Sequence, residues 1–356
     1  MMTNSNCQNH VCSPTNATVS DAMIKYRVKL GRATTYSLMG AGLYGAKGLN
    51  PIVSTQMMIM FVIPRMIYGL ETQILNKKQY EMLETFYRTT LRQLQALPQN
   101  VAREAIYLLL GVLPLEAILH MRTLNLLQKI GQDETSLLYQ VAVRQLAVKT
   151  AKSHSWFIYT TRLCDQYGLP HPFDIITQYK EKCEWKTVLK DKVHEYWEKK
   201  LKDLASSKST LRYINISAMS LTKPHIVWSA ALGSVQQVER AIIKARILTG
   251  TYNLHGKYIH FKDYDENPKC KLCNNDNEMR EHFLIDCPAM DNTREKWWDV
   301  LGDDSMRDIQ TILDHTILYD QDKNFERQTQ WFCFKMHKER LRLLNILQIN
   351  KPKICA

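Results

Sequence analysis

The chain has 356 residues, 45% of them hydrophobic, with a formal charge of +12 and a pI near 9.2. That is enough apolar material for one large core or two smaller ones, which excludes a globally disordered chain. The positive balance points to polyanions, nucleic acid first and an anionic membrane surface second, while nine scattered cysteines argue for thiols and one metal site rather than a disulfide frame.

Residues 1–22 are polar and lack the apolar run of a secretory signal, so they read as a disordered leader on a soluble, intracellular chain. Tyr26, Val28 and Leu30, then Tyr36, Leu38 and Met39, read as buried positions. "GAGLYGAKGLNP" has neither the preceding strand nor the terminal Gly-Lys-Ser/Thr of a phosphate loop, and reads as a connector. The most apolar run, Met57 to Ile63, is stopped by Pro64 and Arg65, far short of the roughly 20 residues that span a membrane.

"NKKQYEMLETFYRTTLRQLQAL" predicts an amphipathic helix capped by Asn76, with Leu83, Phe86, Tyr87, Leu91 and Leu94 on one stripe and Pro98 as its stop. Lys77, Lys78, Arg88 and Arg92 lie largely off that stripe. "REAIYLLL", closed by Gly111, and "PLEAILHMRTLNLLQKI", opened by Pro114, complete a three-helix bundle. "EWKTVLKDKVHEYWEKKLKDLA" alternates charge around Trp185, Leu189, Val193, Trp197 and Leu201 and predicts a packed helix with a solvated face. In "SVQQVERAIIKARILTG", Ser234 and Gln237 form a capping box and Gly250 is the stop. The last helix is "FERQTQWFCFKMHKERLRLLNIL". Cys164, Cys183 and Cys333 fall on helical apolar faces and read as small packed hydrophobes.

Between the last two helices stands "CKLCNNDNEMREHFLIDC". A two-residue gap lets Cys270 and Cys273 reach one ion from a tight turn, and His282 and Cys287 complete four ligands with no open position. Such a set predicts a structural zinc, because metal binding organises a segment too small to bury its own core. Lys269, Lys271 and Arg280 flank it as candidate phosphate contacts, with Tyr258 and Phe261 as stacking residues or core anchors. The expected fold is mainly α: a helical bundle at 23–132, a basic helical connector at 133–230, a CCHC metal-binding region at 231–305 and a helical tail at 306–356.

"KARILTGTYNLHGKYIHF", followed by the cysteine cluster, resembles the C-terminal cysteine-rich region of non-LTR (LINE-like) retrotransposon reverse transcriptases. "TTYSLMGAGLYGAKGLNP", "FVIPRMIYGLE", "AREAIYLLLGVLPLEAILH" and "LRYINISAMSLTKPHIVWSA" are similar to the stretches that follow the polymerase palm and form the thumb in those proteins. The resemblance runs from about Met23 to about Lys296 with its blocks in the family's order. It implies target-primed reverse transcription, magnesium-dependent nucleotide addition and binding of template RNA and primer DNA. The family's aromatic-x-Asp-Asp motif and its endonuclease have no counterpart here, and Asp303 and Asp304 read as a turn at a helix end. The expectation is therefore a non-catalytic, thumb-like fragment with a structural zinc that binds RNA and/or DNA, with no membrane and no small-molecule substrate. The alternative is a helical interaction or assembly protein with the same metal staple.

Overall fold

The computed structural model describes residues 21–178, 181–256, 268–301, 307–317 and 322–349. Among them the secondary structure is helical, and one antiparallel bridge, Lys269 to Asn277, is the only extended pairing. The leader residues 1–20, Tyr258 and Phe261, and Asp303 and Asp304 lie outside the described residues.

The first helix, α1 (Asp21–Ser37), starts two residues earlier than the leader boundary at 22 suggests. It turns Ile24, Gly31 and Thr35 inward and leaves Tyr26, Tyr36 and Met39 on the surface. The expected burial of these three is thus corrected. Helical spacing carries residues 24, 31 and 35 to one face and Tyr26 and Tyr36 to the other. Next come α2 (Pro51–Met57), a π turn (Met58–Val62) and α3 (Ile63–Ile67), joined as one helix. Pro64 cannot donate to the carbonyl four residues back, and the ladder widens there, with Ile63 N–H bonding the Met58 carbonyl.

Helix α4 (Lys77–Leu94) opens on a full capping box between Asn76 and Gln79. It ends before Pro98, where Ala96 adopts positive φ and Arg92 and Arg246 bond the turn carbonyls of Leu97 and Ala96. α5 (Arg103–Leu110) ends at Gly111, which has φ of 65°. α6 (Leu115–Ile130), α7 (Leu137–Val148), α8 (Trp156–Tyr167), α9 (Pro172–Gln178) and α10 (Lys182–Ser206) extend the stack. Trp185, Leu189, Val193, Trp197 and Leu201 are buried along α10 as the stripe requires. Cys164 and Cys333 are buried, but Cys183 is exposed. It sits in the first turn of α10, two residues before the inward Trp185 and so on the opposite side of the helix.

The chain then returns to the first bundle. α11 (Ile226–Ser229) inserts Trp228, which is fully buried and donates to Gln95. Asn50 donates to the carbonyls of Trp228 and Ala231, so segments almost 180 residues apart share one core. α12 (Val235–Leu248) packs on the long α15 (Lys323–Ile349), with α13 (Asp291–Leu301) and α14 (Ile309–Leu313) alongside. Ser234 accepts from Gln237 N–H as expected, but the Gln237 side chain accepts from Gly233 rather than completing the box on Ser234. Between α12 and α15, Lys244 is fully buried and donates to Glu326 at 2.6 Å and to Thr329 at 2.7 Å. No single helix among the described residues is long and apolar enough to cross a membrane. The apolar pair α5 and α6 is bent by 61°, and most of its residues are packed inside the protein.

Candidate metal centre and basic groove

The turn at Cys270 is built by backbone bonds. Asn274 N–H bonds the Cys270 carbonyl at 2.8 Å and Cys270 N–H bonds the Asp276 carbonyl at 2.8 Å. Asn274 takes a φ of 57°, a left-handed conformation that Asn tolerates better than most residues. The backbone N–H groups of Leu272 and Cys273 point to the Cys270 sulfur. His282 begins a π turn (His282–Asp286) that ends at Cys287, which places both ligands over the same turn.

Ligand atoms of Cys270, Cys273, His282 and Cys287 all lie within 4.8 Å of one another. Cys270 Sγ and Cys287 Sγ are 3.8 Å apart, and Cys273 Sγ is 3.3 Å from His282 Nε2. Tetrahedral zinc with bonds of about 2.3 Å to sulfur needs sulfur–sulfur edges of about 3.8 Å, so the donor set and spacing fit such an ion. Cys270, His282 and Cys287 are buried and Cys273 half-buried. The hydrogen bond with Cys287 holds the Cys270 thiol down to about 5, while Cys270 pushes the Cys287 thiol up. Two sulfurs at this distance resist double ionisation unless a cation lies between them. Among the described residues this is the one group of three or more such donors able to share an ion. His282 Nδ1 is buried without a hydrogen-bond partner, which leaves Nε2 as the atom turned to the sulfurs.

The surroundings fix this loop to the helices. Glu278 is 1% exposed and accepts from Arg340 Nε at 2.8 Å and Nη2 at 3.0 Å, and from His255 N–H at 2.8 Å. Arg294 of α13 donates to the carbonyls of Leu284 and Cys287. Phe283 stacks on Tyr252, whose hydroxyl meets His337 at 2.7 Å.

The basic residues named from the sequence separate into two groups. Arg280 Nη1 donates to the carbonyls of Thr210, Ile247 and Leu248, closing the C-terminus of α12, and burial pulls its guanidinium down to about 10. Arg88 pairs with Glu81 at 3.1 Å, and Arg92 is held by the Leu97 carbonyl at 3.0 Å. Arg280 and Arg92 are spent on backbone carbonyls and Arg88 on the exposed carboxylate of Glu81. Lys269 and Lys271 sit on the exposed rim of the metal loop.

Lys77 and Lys78 lie at the mouth of an open groove of about 1050 Å³ between α1 and α4, lined also by Lys25, Lys29, Arg32 and Arg103, with Glu81 its one carboxylate. Lys78 bonds Asp21 at 2.8 Å, a pair open to solvent. Lys25, Lys29 and Arg32 were not singled out from the sequence, although their spacing of four and three residues marks one helix face. Arg103 gives no local signal, because only packing brings the start of α5 beside α1. No protein-family model, curated protein or solved structure matches this chain.

Proposed function

We propose that this chain is the nucleic-acid-binding, non-catalytic C-terminal part of a retroelement reverse transcriptase, braced by a structural zinc on Cys270, Cys273, His282 and Cys287. The observation that carries the binding reading is the α1–α4 groove, where six cations line one opening and the carboxylates beside them are Glu81 and the Asp21 partner of Lys78. Flexible lysines along an open groove suit the sugar-phosphate backbone, which gives affinity without base readout. Zinc supplies no reaction in this reading. Its four protein ligands leave no position for substrate, and it locks the loop that carries Glu278 and Arg280. The origin in a reverse transcriptase rests on the resemblance of the sequence blocks. It is supported by an apolar surface at Ile59, Met60, Phe61 and Tyr68, as expected of a face that packs against a further domain.

Fluorescence anisotropy with labelled single-stranded RNA and with duplex DNA tests the binding. Affinity should fall steeply between low and physiological salt. Lys25→Ala and Lys29→Ala should each reduce the slope of log affinity against log salt by about 1. An affinity indifferent to salt would remove the phosphate reading. A second reading, a helical assembly protein stapled by the same metal, draws on the exposed apolar face of α7. Failure to bind either polymer would leave it standing.

A further inference from the structure

Helices α12 and α15 carry a group of cations that neither the metal centre nor the α1–α4 groove uses. Arg240 of α12 places its guanidinium 3.8 Å from the centre of the Trp331 ring, and Lys335 holds its ammonium 4.6 Å from the same centre. Lys338, three residues further along α15, stands 5.3 Å from the centre of the Phe334 ring. The rings are themselves held. Phe334 stacks on Trp331 at 6.0 Å, and Trp297 of α13 meets Trp331 edge-on at 5.9 Å. Two like charges over one ring repel each other, and their attraction to the π face offsets only part of that.

Tyr213 shows how such a pair is balanced elsewhere in the molecule. Arg212 and Arg280 crowd its ring at 4.9 and 4.6 Å, but Glu281 accepts from Arg212 and three backbone carbonyls accept from Arg280. At Trp331 the balance is missing. Among the described residues, Arg240, Lys335 and Lys338 meet no carboxylate and no hydrogen-bond acceptor. Glu339, four residues after Lys335, is bonded to Arg342 instead, and Glu239 beside Arg240 is exposed. The charge that completes this group therefore comes from outside the chain.

We propose that Arg240, Lys335 and Lys338 form a second phosphate clamp, which holds the backbone of a nucleic-acid strand on helices other than those of the α1–α4 groove. The identity of the ligand rests on the nucleic-acid reading, while the residues are independent of it. A guanidinium already seated on a ring loses little freedom on pairing and offers phosphate a planar fork. Arg240 and Lys335 share one ring, so one phosphodiester or two successive ones can engage both. Trp331, Phe334 and Trp297 are half-buried beneath the cations, which suits a sugar-phosphate backbone better than insertion into a bilayer.

Acetylation footprinting of the full wild-type chain, read by mass spectrometry with and without oligouridylate RNA or duplex DNA, tests the clamp directly. Lys335 and Lys338 should lose reactivity when the polymer binds, while Lys149, exposed at the end of α7, should keep it. In anisotropy titrations Arg240→Ala and Lys335→Ala should each lower the slope of log affinity against log salt by about 1. Arg240→Lys keeps the charge but not the fork, so the slope should stay and binding weaken about threefold. Protection of Lys25, Lys29 and Lys77 with Lys335 and Lys338 as reactive as in the free chain overturns the clamp and leaves the groove standing. The reverse pattern upholds the clamp and removes the groove. A chain that binds neither polymer removes both.

Discussion

Glu278 shows how much of the metal loop is held from outside the ligand set. Its carboxylate is buried under Arg340 and bonds His255 N–H, and removing one partner of a buried pair leaves a charge uncompensated. Glu278→Ala should lower stability by about 3–5 kcal/mol in urea melts, more than any exposed ion pair would. At the ligands, one zinc per chain is expected by metal analysis and is lost in Cys273→Ser; a wild-type chain without metal would make the cluster accidental. His120 sets a pH dependence. Burial drives its imidazole down to about 3. The Tyr167 hydroxyl accepts from Trp197 at 3.0 Å and so directs its own proton to His120 Nδ1 at 2.7 Å. The unfolded chain then binds the proton that the folded chain refuses, so stability falls as pH drops below about 6.5. Between about pH 7 and pH 4 the loss from this residue is about 3 kcal/mol, and melts of His120→Gln should lack it.

Among the elements, those with strong caps and stripes were readable in advance. Asn76, Leu83, Tyr87 and Leu91 specify α4, and Gly111 its neighbour's end, because caps and 3.6-residue periodicity are local properties. Asn76→Ala should cost about 1 kcal/mol. Gly111→Ala should cost more. The added carbon would face a left-handed backbone and stand 2.4 Å from the Lys223 carbonyl oxygen, where the chain leading to α11 crosses. Comparing the two melting shifts separates a capping loss from a steric one. By contrast, the apolar side chains of α1 do not mark its buried face: Tyr26 and Tyr36 are exposed while Gly31 and Thr35 face inward, because packing neighbours decide which side of a weakly amphipathic helix is covered. The roles of Arg88, Arg92 and Arg280 were hidden for a related reason: the carbonyls and carboxylates they bond are contributed by turns and by other elements.

For the molecule as a whole, the metal loop, α12, α13 and α15 form a unit joined by Arg280, Arg294 and Glu278–Arg340. Chelation should loosen this unit before the α4–α6 bundle, whose caps and helix-to-helix packing lie away from the ligands. Trypsin after chelator treatment should cut first at Lys269 and Lys271, with far-UV helicity little changed. Cleavage there at the same rate with and without chelator would mean the ion does not hold the loop.

The sequence by itself determined that the chain is mainly helical, where its best-capped helices start and stop, and which four side chains can share an ion, because periodicity, capping and ligand spacing act over a few residues. Only the tertiary structure decided which cations remain available. It drew Arg92 and Arg280 onto backbone carbonyls and Arg88 onto Glu81, gathered Lys25, Lys29, Arg32 and Arg103 around Lys77 and Lys78, and left the outer face of α7 bare. Burial and hydrogen bonding between distant segments depend on which helices become neighbours, and no local pattern encodes that.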